Sequence, residues 1–167
     1  RNIINIDSRR IARVTMQHAD GDGFSVAKAE ITSEDMSYAS FVPPGMEPKP
    51  AHEMNNMAQI TDFLVMEDVQ PVTELDWGTP NSILWFETYD GVKISIAAVK
   101  DGKYNWFRII LEPTAADPRL AAFVAEHKGK DSEQGRIADQ MIDAEPAKAE
   151  IAALTERLSP WAFQFTD

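Results

Sequence analysis

The sequence contains no cysteine, and this absence narrows the chemistry available to the protein. Without thiols there is no disulfide framework, no zinc site built on thiolates and no cysteine nucleophile. The sequence also lacks a run of about 18 consecutive apolar residues, the length that a membrane-spanning helix needs. Its first residues do not resemble a signal peptide. The sequence therefore predicts neither a disulfide scaffold nor a membrane-embedded segment.

Positive charge is scarce. The chain has 16 Lys and Arg residues against 27 Asp and Glu residues, for a formal net charge of -11. This charge repels phosphate backbones and anionic lipid headgroups. The tightest basic group, Arg9 and Arg10 with Arg13, is too small to outweigh that repulsion. We therefore predict that the protein binds neither nucleic acid nor a membrane surface.

Known signatures of enzymes and metal sites are also missing. The three histidines, His18, His52 and His127, are far apart, and no two have the i, i+4 spacing that lets a helix hold a metal. No serine lies in a nucleophile elbow, and there is no Gly-rich phosphate loop or dinucleotide fingerprint. The sequence thus predicts no metal, no cofactor and a non-catalytic role.

Length and composition are those of an ordinary globular protein. The 167 residues are 44% hydrophobic and 26% charged, which is enough apolar surface to build one core. We predict a single domain over residues 1–167.

Two Asp-Gly pairs, Asp90-Gly91 and Asp101-Gly102, interrupt a strand-like stretch over residues 83–111. A two-residue Asp-Gly loop between alternating apolar residues is a strong hairpin signal, so both pairs are interpreted as type I′ turns with a purely conformational role. The resulting register puts eight residues on the core face of a three-stranded meander: Ile83, Trp85, Val92, Ile94, Ile96, Phe107, Ile109 and Leu111. The opposite face carries Leu84, Phe86, Thr88, Lys93, Ser95, Ala97, Trp106 and Arg108.

The remaining elements follow from apolar periodicity and from capping residues. A hairpin is predicted from residues 11–16 and 24–28, a helix after Pro50, an edge strand over residues 69–72, helices after Asp117, Asp131 and Pro146, and a last strand over residues 161–165. Residues 41–50, with four prolines, indicate a loop. Together these elements predict an α+β fold, an antiparallel sheet (hairpin plus three-stranded meander) with helices on one face. The order suggests two β-then-α repeats.

Large aromatic faces are the best candidates for a binding site. Trp106 points away from the predicted core, so we predict a ligand-binding role for Trp106 together with Phe86 and Arg108. Core packing of the tryptophans is the ordinary alternative.

Paired carboxylates offer an enzymatic alternative, because a glycosidase needs two of them facing each other across its substrate. Glu67-Asp68 and Glu74 with Asp76 could form such a dyad in a hydrolase that acts on an envelope polymer. With 27 acidic residues in the chain, such pairs also arise by abundance alone.

Four features resemble the bacterial family catalogued as domain of unknown function 4340. They are Ile11-Ala12-Arg13-Val14-Thr15-Met16 ahead of an Asp-Gly loop, the Pro43-Pro44-Gly45 region, the Asn55-containing helix leading to Asp68-Val69-Gln70-Pro71-Val72, and the closing Leu158-Ser159-Pro160-Trp161-Ala162-Phe163. The resemblance spans most of the chain. It departs at Leu75-Asp76-Trp77-Gly78-Thr79-Pro80, where members often have a Gly-Leu-x-x-Pro segment.

The resemblance implies an extracytoplasmic domain that follows an N-terminal anchor in the bacterial cytoplasmic membrane. It also implies that the domain faces the periplasm and interacts with an envelope protein or a transporter-like complex. The chain begins at Arg1 rather than at an initiator Met, so we expect the anchor to lie upstream. No catalytic residues are established for the family, and none are transferred here.

Overall fold

The computed structural model describes residues 2–40, 42 and 44–165. It is an α+β fold, as predicted. The strands are β1 (Ile11–His18), β2 (Gly23–Lys28), β3 (Met36–Tyr38), β4 (Met66–Pro71), β5 (Ser82–Thr88), β6 (Val92–Asp101), β7 (Tyr104–Pro113) and β8 (Trp161–Phe165). The helices are α1 (Ala51–Phe63), α2 (Leu120–His127), α3 (Glu133–Gln140) and α4 (Ala144–Leu158).

The strands form one antiparallel sheet in the order β3-β2-β1-β5-β6-β7-β8-β4. The predicted hairpin is β1–β2 and the predicted meander is β5–β6–β7. β4 lies at the end of the sheet, where Pro71 removes no ladder hydrogen bond from an inner strand. The chain twice runs through three strands, a helical segment and one further strand. The sequence suggested two β-then-α units, but β3 in the first unit was not predicted. The two runs are joined because β4 pairs with β8.

The core lies between one face of the sheet and the helices α1 and α4. Met54 and Ala58 of α1, and Leu154 and Leu158 of α4, pack with the buried strand residues. The strand residues in this cluster are Ile11, Val14, Val26, Met36, Phe86, Val92, Ile94, Ile96, Ile109, Leu111 and Phe163. Burying these apolar side chains is the main driving force for the fold.

The predicted register of the β5–β6 hairpin is wrong by one residue. Phe86 pairs with Ile94 and Leu84 with Ile96, so the loop comprises Tyr89, Asp90 and Gly91. Gly91 has φ +90, as three-residue loops require at their last position. Because strand side chains alternate, this shift exchanges the two faces of β5. Leu84 and Phe86 therefore face the core, and Ile83 and Trp85 lie on the opposite face.

The β6–β7 hairpin turns one residue later than predicted. Asp101 pairs with Tyr104, so its two-residue loop is Gly102-Lys103, with φ +60 at Gly102. The pairing shifts by two residues and the faces are kept. Ile109 and Leu111 are buried in the core as predicted.

Two predicted helix caps also differ. Asp117 is two residues ahead of the α2 N-cap, Arg119, and its carboxylate accepts from the N–H of Arg119. The α3 cap is Ser132, whose hydroxyl accepts from the N–H of Gly135, rather than Asp131 with Gln134.

In the loop predicted for residues 41–50, Phe41 and Pro43 lie outside the described residues. No helix in the described part of the chain has the length and apolarity needed to cross a membrane.

Candidate ligand-binding site

Asp90, interpreted from the sequence as a turn residue, is buried and binds Arg10. Its side chain is 0% exposed, and Arg10 donates to it from Nε at 2.8 Å and from Nη2 at 3.2 Å. The hydroxyl of Thr88 donates to Oδ1 at 2.6 Å, and the N–H of Ile142 donates to Oδ2 at 3.1 Å. The carboxylate thus accepts four hydrogen bonds, and its interpretation as a purely conformational residue was wrong.

Arg10 joins a second carboxylate on α4. Its Nη1 and Nη2 donate to Glu150 at 2.9 and 2.7 Å, so the guanidinium bridges two acids. Burial alone would lower the pKa of Arg10, but the hydrogen bonds to Glu150 and Asp90 outweigh it and hold that pKa above its ordinary value. This Arg10–Asp90–Glu150 network connects the turn that precedes β1, the β5–β6 loop and α4.

A cavity of about 550 Å³ opens beside this network. It lies between α2 and the connection from α3 to α4, with Asp90 among its lining residues. Its other residues are mainly small or apolar: Ala116, Pro118, Leu120, Ala121, Val124, Ala125, Met141, Ile142 and Ala144. The volume and the apolar walls are typical of small-molecule sites. We refer to this space as the α2 cavity.

Three carboxylates line the α2 cavity, and they differ in what they already bind. Asp90 is saturated by Arg10, Thr88 and Ile142, as described above. Asp117 accepts from Arg119 through both oxygens, and this hydrogen bonding lowers the pKa of Asp117. Asp143 is exposed, stands at the α4 N-cap without a side-chain cap bond, and has no ion-pair partner among the described residues. Asp143 is therefore the carboxylate that is available to a ligand.

The structure does not bring the predicted residues Trp106, Phe86 and Arg108 together. Phe86 is 0% exposed and belongs to the core, because the true register turns it to the helix-covered face. Trp106 is 6% exposed on the other face, where it packs with Val99, Ala162, Leu75 and Trp77. Phe86 and Trp106 thus lie on opposite faces of the sheet.

Arg108 shares the outer face with Trp106, next to Ala97 and Ala162. Its Nε atom is buried and makes no hydrogen bond within the described residues. Neither Arg108 nor Trp106 lines the α2 cavity or any of four other cavities that the described residues form. A binding role for the two residues stays a prediction.

The acidic pairs proposed for a hydrolase are spread over the surface. Of Glu67, Asp68, Glu74 and Asp76, only Glu67 lines one of those five cavities. Asp68 accepts from the N–H of Val69, and Asp76 accepts from the N–H of Gly78. Within the described residues, no group of three or more His, Cys, Asp or Glu side chains is placed to hold a metal ion.

Sequence reasoning missed the residues that form the α2 cavity and its floor. Leu120 and Val124 lie on the helix that was predicted after Asp117, and Asp90 was interpreted as a turn residue. The pairing of Arg10 with Asp90 spans 80 residues, so no local pattern contains it. The one available signal was Arg10 itself, a charged residue directly before a strongly apolar strand. Comparison with models of protein families, with curated proteins and with solved structures gives no match to this chain.

Proposed function

We propose that this domain is a non-catalytic binding module whose α2 cavity holds a small apolar ligand that carries a cationic group. The observation that carries the proposal is a cavity of about 550 Å³ with apolar walls and one available carboxylate, Asp143, at its edge. Cavities of this kind bury most of a small ligand's surface, and a few polar groups set its orientation.

The floor of the α2 cavity is held by hydrogen bonds before any ligand arrives. Asp90 binds the N–H of Ile142, which fixes the corner between α3 and α4 against the β5–β6 loop. The network of Arg10 and Glu150 extends this support to α4. Little free energy is lost to the ordering of side chains and loops when a ligand binds a preformed site.

Charge favours a cationic ligand over an anionic one. The net charge of -11 repels anions from the surface as a whole. Asp143 is exposed beside the apolar walls, where it can pair with an ammonium or guanidinium group.

A catalytic role for Asp90 is not favoured by its hydrogen bonds. A general base needs a free lone pair within reach of the proton it takes. Both oxygens of Asp90 already accept two hydrogen bonds each, from Arg10, Thr88 and Ile142. Its role in the proposed site is to fix the walls.

The resemblance to domain of unknown function 4340 supplies the cellular part of the proposal. On that basis the domain faces the periplasm, is anchored through an upstream segment and interacts with an envelope protein or a transporter-like complex.

Titration with N-phenyl-1-naphthylamine, a neutral apolar probe that fluoresces when buried, tests the site. We expect saturable binding to the wild type and at least a tenfold loss of affinity in Ala121→Trp, where the indole fills the α2 cavity. Ala122→Trp is the matched control, because Ala122 is exposed on the same helix and does not line the cavity. Equal binding by the two variants would overturn the proposal.

The cationic preference is tested with a pair of probes that share an apolar body, 1-naphthylmethylamine and 1-naphthoic acid. We expect the amine to bind more tightly than the acid to the wild type. Asp143→Asn should reduce this difference, and Asp143→Lys should reverse it. A preference that is the same in all three proteins would contradict the assignment of Asp143.

A further inference from the structure

Among the described residues, Lys28 is a partly buried cation with no hydrogen-bond or ion-pair partner. It ends β2 and lies between two cavities, one of about 320 Å³ that it shares with Arg13 and Arg119, and one of about 170 Å³ that it shares with Arg9. Within the described residues its ammonium makes no hydrogen bond and no ion pair. Burial, only partly offset by the nearby Asp7, lowers the pKa of Lys28.

The neighbouring arginines are already paired. Arg119 binds Asp117 and Glu30, with its closest contacts to each at 2.9 Å. Arg13 donates to Ser25 at 3.1 Å and lies 3.9 Å from Glu87. The positive charge that remains uncompensated at the larger cavity is therefore that of Lys28.

An unpaired cation removed from water is unfavourable, and an oxyanion that accepts hydrogen bonds from it relieves this cost. We propose that the cavity of about 320 Å³ beside Lys28 binds a small oxyanion, a carboxylate or phosphate group, with the Lys28 ammonium as its principal donor.

The overall negative charge does not exclude such a site. Charges on the surface are screened over about 8 Å at physiological ionic strength, whereas the oxyanion contacts Lys28 directly. The charged side chains that line the two cavities with Lys28 are the cations Arg9, Arg13 and Arg119 and the carboxylates Glu34, Glu87 and Asp117. Each of these arginines is held by a carboxylate, which leaves Lys28, among the described residues, as the cation free to bind an oxyanion. The two cavities have too few cations for a polyanion, in keeping with the exclusion of nucleic acid, but one oxyanion needs only one or two donors.

This oxyanion site is separate from the α2 cavity, although both are lined by Ala116, Asp117 and Pro118. The segment that precedes α2 therefore has an apolar cavity on one side and the Lys28 cavity on the other. The proposal does not depend on the function assigned to the α2 cavity.

Backbone amide NMR titrations with sodium phosphate and with sodium acetate, at ionic strength balanced by sodium chloride, test the oxyanion site. We expect saturable shifts at Lys28, at residues 114–117 and at Arg119 with at least one of the two anions. Lys28→Met should weaken that binding at least tenfold. Lys28→Arg should retain it, and Lys100→Met, at an exposed lysine outside both cavities, should leave it unchanged.

The comparison of the two anions assigns the class, because the tighter one identifies a phosphate or a carboxylate site. Shifts that grow linearly with concentration, or that persist equally in Lys28→Met, would overturn the proposal. If Lys28→Met does not fold, loss of binding in the folded Lys28→Gln variant supports the proposal and retention in it overturns it. N-phenyl-1-naphthylamine binding should be the same in the Lys28 variants as in the wild type, which separates this result from the test of the α2 cavity.

Discussion

Arg10 and Asp90 form a two-pronged ion pair, with N···O distances of 2.8 and 3.2 Å, although they are separated by 80 residues in the sequence. Arg10→Met should lower the free energy of unfolding by about 3–5 kcal/mol, because it leaves a buried carboxylate without its counter-ion. Urea denaturation measures this loss. Arg10→Met combined with Asp90→Leu should recover part of it, because no unpaired charge then remains at position 90.

Arg9→Met is the matched control for that change. Arg9 pairs with Asp7 at 2.7 Å, but its side chain is 40% exposed. Exposed pairs contribute at most about 1 kcal/mol. Similar losses at positions 9 and 10 would contradict the central place given to the buried network.

Gly91→Ala should destabilise the fold more than Gly102→Ala. Both glycines have positive φ, +90 and +60, so both substitutions bear the strain of a left-handed backbone, about 1 kcal/mol or more. A Cβ at Gly91 would also lie 2.9 Å from the carbonyl oxygen of Thr114, whereas one at Gly102 meets nothing within 4 Å. Urea denaturation of the two variants measures the free energy that this contact costs. Equal losses of stability would show that the backbone moves to relieve the contact without cost.

Tyr89 should make stability fall at alkaline pH. Burial raises the pKa of Tyr89 to about 12 from an ordinary value of 10.0. The folded state thus holds the phenol proton more tightly than the unfolded state. The contribution is fully present below pH 10 and is lost as pH rises from about 10 to about 12, for a total of about 3 kcal/mol.

Absorbance of tyrosinate, followed during an alkaline titration, checks this prediction. The wild type should show a step near pH 12 that is missing in Tyr89→Phe and retained in Tyr104→Phe, because Tyr104 is 48% exposed. The free energy of unfolding of Tyr89→Phe should also vary less between pH 9 and pH 11 than that of the wild type. A high-pH step that survives Tyr89→Phe would assign it to another residue.

Arg108→Met should leave the free energy of unfolding unchanged or raise it by up to about 1 kcal/mol. The buried Nε of Arg108 makes no hydrogen bond in the described chain, so its removal gives up no bond and relieves an unsatisfied donor. The same replacement at Arg10 removes four hydrogen bonds. Urea denaturation distinguishes the two, and a large loss at Arg108 would reveal a contact that the geometry lacks.

Local signals predicted most of the secondary structure. The Asp-Gly pairs identified both hairpins of the meander, Pro71 identified an edge strand, and Pro50 the start of α1. The alternation of apolar residues identified β6 and β7, whose core face was predicted correctly. Each of these features is determined by residues that are close together in the sequence, so a local pattern is enough to predict it.

The register of β5 was missed because a loop of three residues and a loop of two carry the same Asp-Gly pair. The choice between them depends on Asp90, which is drawn inward by Arg10. That contact lies outside any local window. One residue of register was enough to turn Phe86 to the core face, away from Trp106 and Arg108.

The packing of Leu75 and Trp77 over Trp106 was not predicted, for a related reason. Leu75 and Trp77 reach it from the irregular segment between β4 and β5, and the indole of Trp77 is fixed by a hydrogen bond to the carbonyl of Val72 at 2.8 Å. No periodic pattern marks such a segment. The α2 cavity likewise depends on how separate helices meet, which apolar periodicity leaves open.

The pairing of β4 with β8 has a consequence for synthesis of the chain. The ribosome produces Met66–Pro71 long before Trp161–Phe165, so the nascent β4 has no partner strand while the whole meander and the helices α2 to α4 are made. Pro71 and the acidic side chains of Glu67 and Asp68 make it a poor template for strands of other chains during that interval. Because β8 is made so late, the low tendency of β4 to pair with other chains protects the growing chain from aggregation.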